Sequence, residues 1–236
     1  MPRRIGVYGG TFDPIHRGHI QVANAILKPF GLERVLMVPA FVPPHKRHSV
    51  LSDAYHRYAM VVLATTGIPA LSASTIELES PSRPYTIETM GRLQREFPAA
   101  DLFFVMGSDS FADVTTWYEY ERLLSEHFII VATRPGRPDV AEDVADDVAD
   151  DVARLRSSLT SRVVDLRGQQ QPAEGMLGSP HIFLTDYVRE DVSATWIRRL
   201  CAEGTGVGDL VPQAVANYIA KYGLYSERMH DRNSTA

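Results

Sequence analysis

The chain has 236 residues, 44% hydrophobic and 22% charged, with 16 Gly, 15 Pro and one Cys, which excludes a collagen-like, disulfide-stapled or wholly disordered polymer. A fold of this length buries roughly 70–75% of the surface its unfolded chain exposes, so a core forms without metal or disulfide staples. The formal charge is −5, yet seven acids lie between Asp139 and Asp151; the remaining 24 basic and 22 acidic side chains sum to +2, so the net sign does not decide what charge a ligand carries.

Ile5 to Tyr8 is an apolar run closed by Gly9-Gly10, and apolar residues at helical spacing follow from Ile20 to Leu27, giving strand, glycine turn and helix. Val35 to Val38 predicts a strand, and Ser52 is read as the cap of a helix running to about Thr66. Ala73 to Leu78 reads as a strand, Thr86 to Phe97 as a helix stopped by Pro98, and Leu102 to Met106 as a strand. Val114-Thr115-Thr116 reads as a loop, Tyr118 to Glu126 as a helix and Phe128 to Ala132 as a strand. Strands separated by helix-length segments predict an α/β fold with a mainly parallel sheet covered on both faces. Ligands then bind beyond the carboxyl ends of the strands, where Gly9-Gly10 and Gly107-Ser108-Asp109 emerge.

Asp139 to Ala153 repeats a Val-Ala-acid-acid tetrad, which reads as a solvated surface helix with an acidic flank. Gln169 to Gly178, rich in Gln, Gly and Pro, reads as a mobile loop. His181 to Thr185 is expected as a last strand, Ser193 to Cys201 as a helix ended near Gly204, and Pro212 to Tyr222 as a helix with Pro in its first turn and Gly223 at its end. Residues 1–225 are therefore expected as a single domain with an acidic insertion at about 139–180, and 226–236 as a disordered tail. Cys201 has no partner for an internal disulfide, so a reducing, cytoplasmic setting is expected. No apolar run nears the roughly 18 residues of a membrane helix. The start Met1-Pro2-Arg3-Arg4 meets Gly9-Gly10 too soon for a signal peptide.

The first chemistry-bearing segment is Gly9-Gly10-Thr11-Phe12-Asp13-Pro14-Ile15-His16-Arg17-Gly18-His19, between a predicted strand and a predicted helix. It is neither a G-x-G-x-x-G turn nor a Walker A loop, so hydride transfer and P-loop chemistry lose their usual fingerprints. It offers glycines that let a phosphate approach the backbone, N–H groups and positive dipole at a helix N-terminus, and two imidazoles three residues apart on one helical face. Those parts suit a polyphosphate, with Gly18 removing a Cβ where a ligand would press on the helix. The plainer alternative is a pair of hydrogen-bonded histidines in an ordinary first turn. A zinc site is not indicated, because H-x-G-H lacks the spacing and Glu of H-E-x-x-H and the chain has no Cys pair, so no metal ligands are assigned.

The second segment is Val192-Ser193-Ala194-Thr195-Trp196-Ile197-Arg198-Arg199. Ser193 and Thr195 can cap a helix, or, with Arg198 one turn further on, form a second anion site where a guanidinium forks to phosphate oxygens.

The H-x-G-H segment resembles the signature of the nucleotidyltransferase superfamily, and Ser193-Ala194-Thr195-Trp196-Ile197-Arg198 is similar to its late I-S-S-T-x-I-R-type signature. Pro43-Pro44-His45-Lys46, Tyr85-Thr86, Gly107-Ser108-Asp109, Trp117, Arg134-Pro135-Gly136, Val211-Pro212, Tyr218-Ile219 and Gly223-Leu224-Tyr225 extend the likeness in order, from about Arg4 to Tyr225, to the bacterial nicotinate-nucleotide adenylyltransferases. The departures are Ala194 where the family usually has a second Ser, Ser108 where it commonly has Ala, and the acidic insertion, which is expected to decorate the surface. The resemblance implies a Rossmann-like nucleotidyltransferase fold with a small C-terminal helical part. It also implies transfer of AMP from ATP to nicotinate mononucleotide, giving deamido-NAD (nicotinate adenine dinucleotide) and pyrophosphate, with Mg²⁺ arriving on ATP.

It assigns His19 to the ATP α-phosphate and His16 to the phosphate chain, with Gly9, Gly10 and Thr11 lending donors. Ser193, Thr195 and Arg198 are expected to hold the β,γ-phosphates, and Gly107 and Asp109 the adenosine ribose. Lys46, Tyr85, Thr86, Trp117, Tyr118 and Arg134 are expected at the mononucleotide, with Trp117 stacking on the pyridine ring and the helix start at Thr86 reading its carboxylate. For Trp117 core packing, and for Lys46 plain solvation, are the alternatives. Partners are the two nucleotides, with neither nucleic acid nor membrane, and a homo-oligomer is left open. Rival readings are a pantetheine-phosphate adenylyltransferase, a cytidylyltransferase, and a nucleotide-binding regulatory module without turnover.

Overall fold

A computed structural model describes residues 3–41, 51–80, 84–133, 149–173, 175–188 and 192–226. The described residues form one seven-stranded sheet of order β3-β2-β1-β4-β5-β7-β6, every neighbouring pair parallel. The strands are β1 Arg3–Gly10, β2 Arg34–Pro39, β3 Leu71–Ala73, β4 Ala100–Gly107, β5 Phe128–Ala132, β6 Val163–Asp165 and β7 Ile182–Thr185. The helices are α1 Arg17–Ala25, α2 Leu27–Phe30, α3 Ala54–Thr65, α4 Thr86–Glu96, α5 Ser108–Ala112, α6 Tyr120–Glu126, α7 Ser157–Thr160, α8 Ala194–Ala202 and α9 Gln213–Tyr222.

Alternation along the strands sends side chains to both faces. Phe103 and Val105 of β4 meet α1, α2, α3, α8 and α9 through Ala23, Phe30, Met60, Ile197 and Val215. Leu102, Phe104 and Met106 meet Met90 and Leu93 of α4, Phe111 of α5, Leu124 of α6 and Leu159 of α7 on the opposite face. Burial on both faces is why the central strands read as unbroken apolar runs rather than alternating ones. The first strand lies in mid-sheet: β2 and β3 extend to one side of it and β4 lies on the other. The chain thus reverses direction between β1 and β4, which opens a crevice beyond their carboxyl ends, at Gly9-Gly10 and Gly107.

Several expectations are corrected. The helix expected over Ile20 to Leu27 starts earlier, at Arg17, and breaks at Ile26, because Pro29 has no N–H for the Ala25 carbonyl. The cap of α3 is Asp53, whose carboxylate accepts from Tyr55 N at 2.8 Å, rather than Ser52. Likewise the first helical residue of α9 is Gln213, with Pro212 as its N-cap. The strand expected over Ala73 to Leu78 is instead Leu71–Ala73. Ser74 N still donates to the Met37 carbonyl, but Ser74 Oγ then accepts from Ile76 N and Glu79 N returns to the Thr75 carbonyl, so local bonds replace the ladder. The helix expected from Tyr118 starts at Tyr120, after Glu119 in left-handed conformation (φ 50°), and Val114–Thr116 is a 3₁₀ turn.

The acidic insertion is corrected as well. Residues 134–148 lie outside those described, but Asp151 is buried and paired with Arg154 at 2.8 Å. Leu155, Leu159 and Leu166 join the core, and β6, unforeseen in the sequence, extends the sheet. Residues 149–153 are helical as expected, but Asp151, Leu155, Leu159 and Leu166 turn inward, so the stretch is not surface decoration throughout.

Candidate active site

Gly9 and Gly10 end β1, and their missing Cβ atoms make room within the protein. A Cβ on Gly9 would lie 3.0 Å from the Phe104 ring, and one on Gly10 2.9 Å from the Phe12 ring. The same correction holds for Gly18, whose Cβ would meet His16 Nδ1 at 3.2 Å, so this glycine accommodates an imidazole rather than a ligand. Phe12 is buried in left-handed conformation (φ 49°), and a cis Asp13-Pro14 peptide bond leads to the helix.

His16 and His19 do not share a helical face. The extended His16 is the N-cap of α1, 2% exposed, and His19 is the third helical residue. The cap brings their rings into a stack at 3.7 Å, while His19 meets the Phe12 ring edge-on at 5.0 Å. His16 N–H donates to His19 Nδ1 at 3.3 Å, so neutral His19 carries its proton on Nε2. The helix start offers fewer N–H groups than the sequence suggested, because Arg17 N donates to the Leu210 carbonyl and His19 N to the His16 carbonyl.

The second segment meets the first here. Ser193 is the N-cap of α8, its Oγ accepting from Trp196 N at 3.2 Å. Arg198, one turn in, donates through Nη1 to the Asp13 carbonyl at 2.7 Å and through Nη2 to Thr195 Oγ1 at 3.2 Å. Segments 185 residues apart are thereby joined, and two helix N-termini carrying imidazole, hydroxyl and guanidinium groups converge on one loop. Such a cluster of positive dipole ends and donors suits a phosphate chain.

Across the crevice, Gly107 precedes the exposed Asp109 at the start of α5, and nothing lies within 4 Å of where a Gly107 Cβ would be. Trp117 is half-buried, its ring edge-to-face with Phe104 at 6.3 Å, so the ring that fills the space beside Gly9 also supports Trp117. Tyr118 is 51% exposed and lies over Tyr85 at 4.6 Å. Tyr85 is the N-cap of α4; its N–H donates to the Glu88 carboxylate at 2.8 Å, and Thr86 is the first helical residue. Lys46 and Arg134 lie outside the described residues, as do Pro43, Pro44, His45, Pro135 and Gly136.

Sequence reasoning gave no role to a buried polar network behind the first loop. Arg57 of α3, 1% exposed, donates to three backbone carbonyls: Nε to Ser52 at 3.0 Å, Nη1 to Thr11 at 2.8 Å and Nη2 to Phe41 at 2.9 Å. Burial lowers its pKa, opposed chiefly by the Asp13 carboxylate. Asp13, 2% exposed, accepts from Tyr225 Oη at 2.7 Å and from Ser52 N at 3.2 Å. Burial, then the Asp13 charge, raises the Tyr225 hydroxyl pKa, so Tyr225 stays a donor. Glu77 accepts from Phe41 N at 3.3 Å and Thr89 Oγ1 at 2.9 Å, its pKa raised by burial. The available signal was Arg57 itself, a cation on the apolar stripe formed by Ala54, Met60, Val61 and Ala64.

Comparison with known proteins places these observations. Residues 7–200 match the cytidylyltransferase-like family. A protein of Desulfatibacillum aliphaticivorans named "probable nicotinate-nucleotide adenylyltransferase" is 37% identical over 227 residues, covering 94% of this chain and 99% of that protein. One of Rubrobacter xylanophilus with the same name is 36% identical, covering 94% and 92%. The fold is similar to that of the Plasmodium falciparum nicotinic acid mononucleotide adenylyltransferase complexed with NaAD, with a TM-score of 0.64, 19% identity, and coverage of 94% and 97%. With two signature segments joined at one crevice and this degree of identity over most of its length, the chain belongs to the nicotinate-nucleotide adenylyltransferases, nucleotidyltransferases of the cytidylyltransferase-like family.

Proposed function

We infer that the chain transfers AMP from ATP to nicotinate mononucleotide, forming nicotinate adenine dinucleotide and pyrophosphate in NAD biosynthesis. The observation that carries the site assignment is the Arg198 to Asp13 bond, which sets the hydroxyls and guanidinium of α8 against the histidines of α1. A phosphate oxygen of the mononucleotide attacks the α-phosphorus of ATP. The new P–O bond forms as the bond from the α-phosphorus to the α,β-bridging oxygen breaks, and pyrophosphate leaves with that electron pair. The attacking phosphate, with a second pKa near 6, is largely ionised at neutral pH, so no general base is required. Alignment and charge stabilisation then supply the catalysis.

In this reading His19 Nε2–H donates to an α-phosphate oxygen, and buried His16 orients His19 and the phosphate chain. Gly9, Gly10 and Thr11 lend donors, while Ser193, Thr195 and Arg198 hold the departing phosphates. Gly107 and Asp109 take the adenosine ribose, a carboxylate suiting two adjacent hydroxyls. Lys46, Tyr85, Thr86, Trp117, Tyr118 and Arg134 take the mononucleotide. Among the described residues no three His, Cys, Asp or Glu side chains gather as a cation cage, and the groups around the crevice suit phosphate rather than metal. In this reading Mg²⁺ enters as part of the substrate MgATP.

The partners are the two nucleotides, without nucleic acid or membrane, in a cytoplasmic setting to which a lone thiol is suited; a homo-oligomer is for sedimentation to test. Among the described residues no helix is long and apolar enough to cross a membrane.

A product assay with nicotinate mononucleotide, nicotinamide mononucleotide and phosphopantetheine tests the reading. A hydrogen bond to a charged group contributes about 1.5–3 kcal/mol, so the acid form is expected to exceed the amide by roughly 10- to 150-fold in kcat/KM. Equal use of the amide would show that the carboxylate is not read, and use of phosphopantetheine would overturn the assignment.

A further inference from the structure

The phosphate loop is held from behind by groups that touch neither nucleotide in the reading above. Arg57 binds Thr11, Phe41 and Ser52 through their carbonyls, which ties the start of this loop to the end of β2 and the entrance of α3. The Asp13 carboxylate takes the Ser52 N–H and the Tyr225 hydroxyl, so Ser52 is bound on both its carbonyl and amide sides, and the chain beyond α9 is tied to the loop across 212 residues. Asp13 offers its carbonyl to Arg198. Three residues after Asp13 comes His16, whose backbone N–H sets the His19 imidazole.

A fully buried guanidinium spent on three carbonyls is a costly way to fill space, since an apolar side chain would pack there without desolvating a charge. What the charge provides is geometry: three N–H vectors in a rigid fork, each fixing a different segment. The Tyr225 hydroxyl reaches the loop while Tyr225 itself sits in left-handed conformation (φ 65°), a backbone arrangement non-glycine residues seldom adopt.

We propose that Arg57 and Tyr225 are positioning residues for adenylyl transfer: through the Thr11 carbonyl and the Asp13 carboxylate they hold the loop that orients His16, His19 and Arg198. The inference rests on the adenylyltransferase reading. Because a misplacement of about 1 Å costs on the order of 10²-fold in rate, loosening this loop is expected to act on kcat before it acts on nucleotide binding.

The test is a double-mutant cycle of Tyr225→Phe and Asp13→Ala, which removes the acceptor altogether, with kcat, KM for each nucleotide and Tm measured for all four proteins. Tyr225→Phe keeps the ring and removes one hydroxyl. It is expected to lower kcat by about 10- to 100-fold while each KM moves less than about threefold. In the Asp13→Ala background the same change is expected to cost less than about threefold, because its effect runs through that carboxylate; if Asp13→Ala does not fold, the split between kcat and Tm in Tyr225→Phe decides. Arg57→Lys, which keeps the charge but not the fork, is expected to lower kcat by about 10-fold while each KM moves less than about threefold, and to retain more kcat than Arg57→Met; a kcat within about threefold of wild type in Arg57→Lys removes Arg57 from the inference, whether or not Arg57→Met folds. A lowered Tm with unchanged kcat in Tyr225→Phe, or fully multiplicative effects in the cycle, overturns the inference while the wild type remains active. A wild type that makes no dinucleotide overturns the function reading and this inference with it.

Discussion

His19 is a donor rather than a base in its neutral form, because the His16 backbone N–H occupies its Nδ1. The contact with the α-phosphate proposed for it is expected to strengthen as charge builds there, and His19→Ala should lower turnover by about 10²–10³ while weakening ATP binding far less. Single-turnover kinetics beside equilibrium ATP binding checks this, and turnover within a few-fold of wild type removes His19 from the mechanism. A second histidine carries a pH signature. Burial holds the His127 imidazole below its ordinary value of 6.5, with Arg122 acting in the same direction and Glu126 against it. With the folded pKa depressed below the unfolded one, the contribution to stability is full above pH 6.5 and is lost as pH falls through the folded value. The fall of Tm on acidification from pH 6.5 should thus be shallower in His127→Gln than in wild type. Equal slopes would show that His127 is not a group whose protonation opposes folding.

At the scale of elements, α8 performs two tasks with one N-terminus. Ser193 Oγ caps it by accepting from Trp196 N, and in the proposed function the same hydroxyl faces the departing phosphates. The tasks separate by substitution. Ser193→Ala loses the cap and is expected to cost about 1 kcal/mol of stability. Ser193→Asp restores the cap and favours the helix dipole, but sets a negative charge against pyrophosphate. Melting curves should therefore place Asp above Ala in Tm, while ATP KM should also be higher in Asp than in Ala, so the more stable variant binds ATP more weakly. A wild-type ATP KM in Ser193→Asp would reduce this residue to a cap. The neighbouring helix shows the same economy, since the His16 cap that starts α1 also stacks the two imidazoles.

On the scale of the molecule, one sheet buried on both faces holds the crevice open at the point where β1 and β4 diverge in connection. Phe30 ties α2 to that sheet, fully buried with its ring 5.9 Å from Phe103 of β4 and 5.1 Å from Phe183 of β7. Phe30→Ala is expected to cost about 3–5 kcal/mol, read as a lower urea midpoint at an unchanged slope. A loss under about 1 kcal/mol would mean that the surrounding rings close over the cavity. The molecule also closes on itself through the Asp13 to Tyr225 bond, so Tyr225, just after α9, is held against the loop that follows β1.

Local chemistry was enough to read the alternation of strands and helices, the Leu102 to Met106 and Phe128 to Ala132 runs, the Ser193 cap and the Gly223 stop, since each depends on residues within a few positions of one another. The H-x-G-H segment and its late partner were legible as signatures of the family for the same reason. Where Leu71–Ala73 stops being a strand was decided by competition between a ladder bond to Met37 and the local bonds of Ser74 and Thr75, which no hydrophobic pattern encodes. Nor does a pattern show that Gly18 makes room for His16, or that a three-residue edge strand at Val163–Asp165 carries the insertion into the sheet. Arg57 reads as an ordinary charged helix residue until Thr11, 46 positions away, and Phe41, 16 away, are brought to it. Sequence thus determined the parts that neighbours can make among themselves. The convergence of Arg198 and Tyr225 on Asp13 depended on tertiary structure, because a hydrogen bond of 2.7 Å has no local trace until folding brings together residues 185 and 212 positions apart.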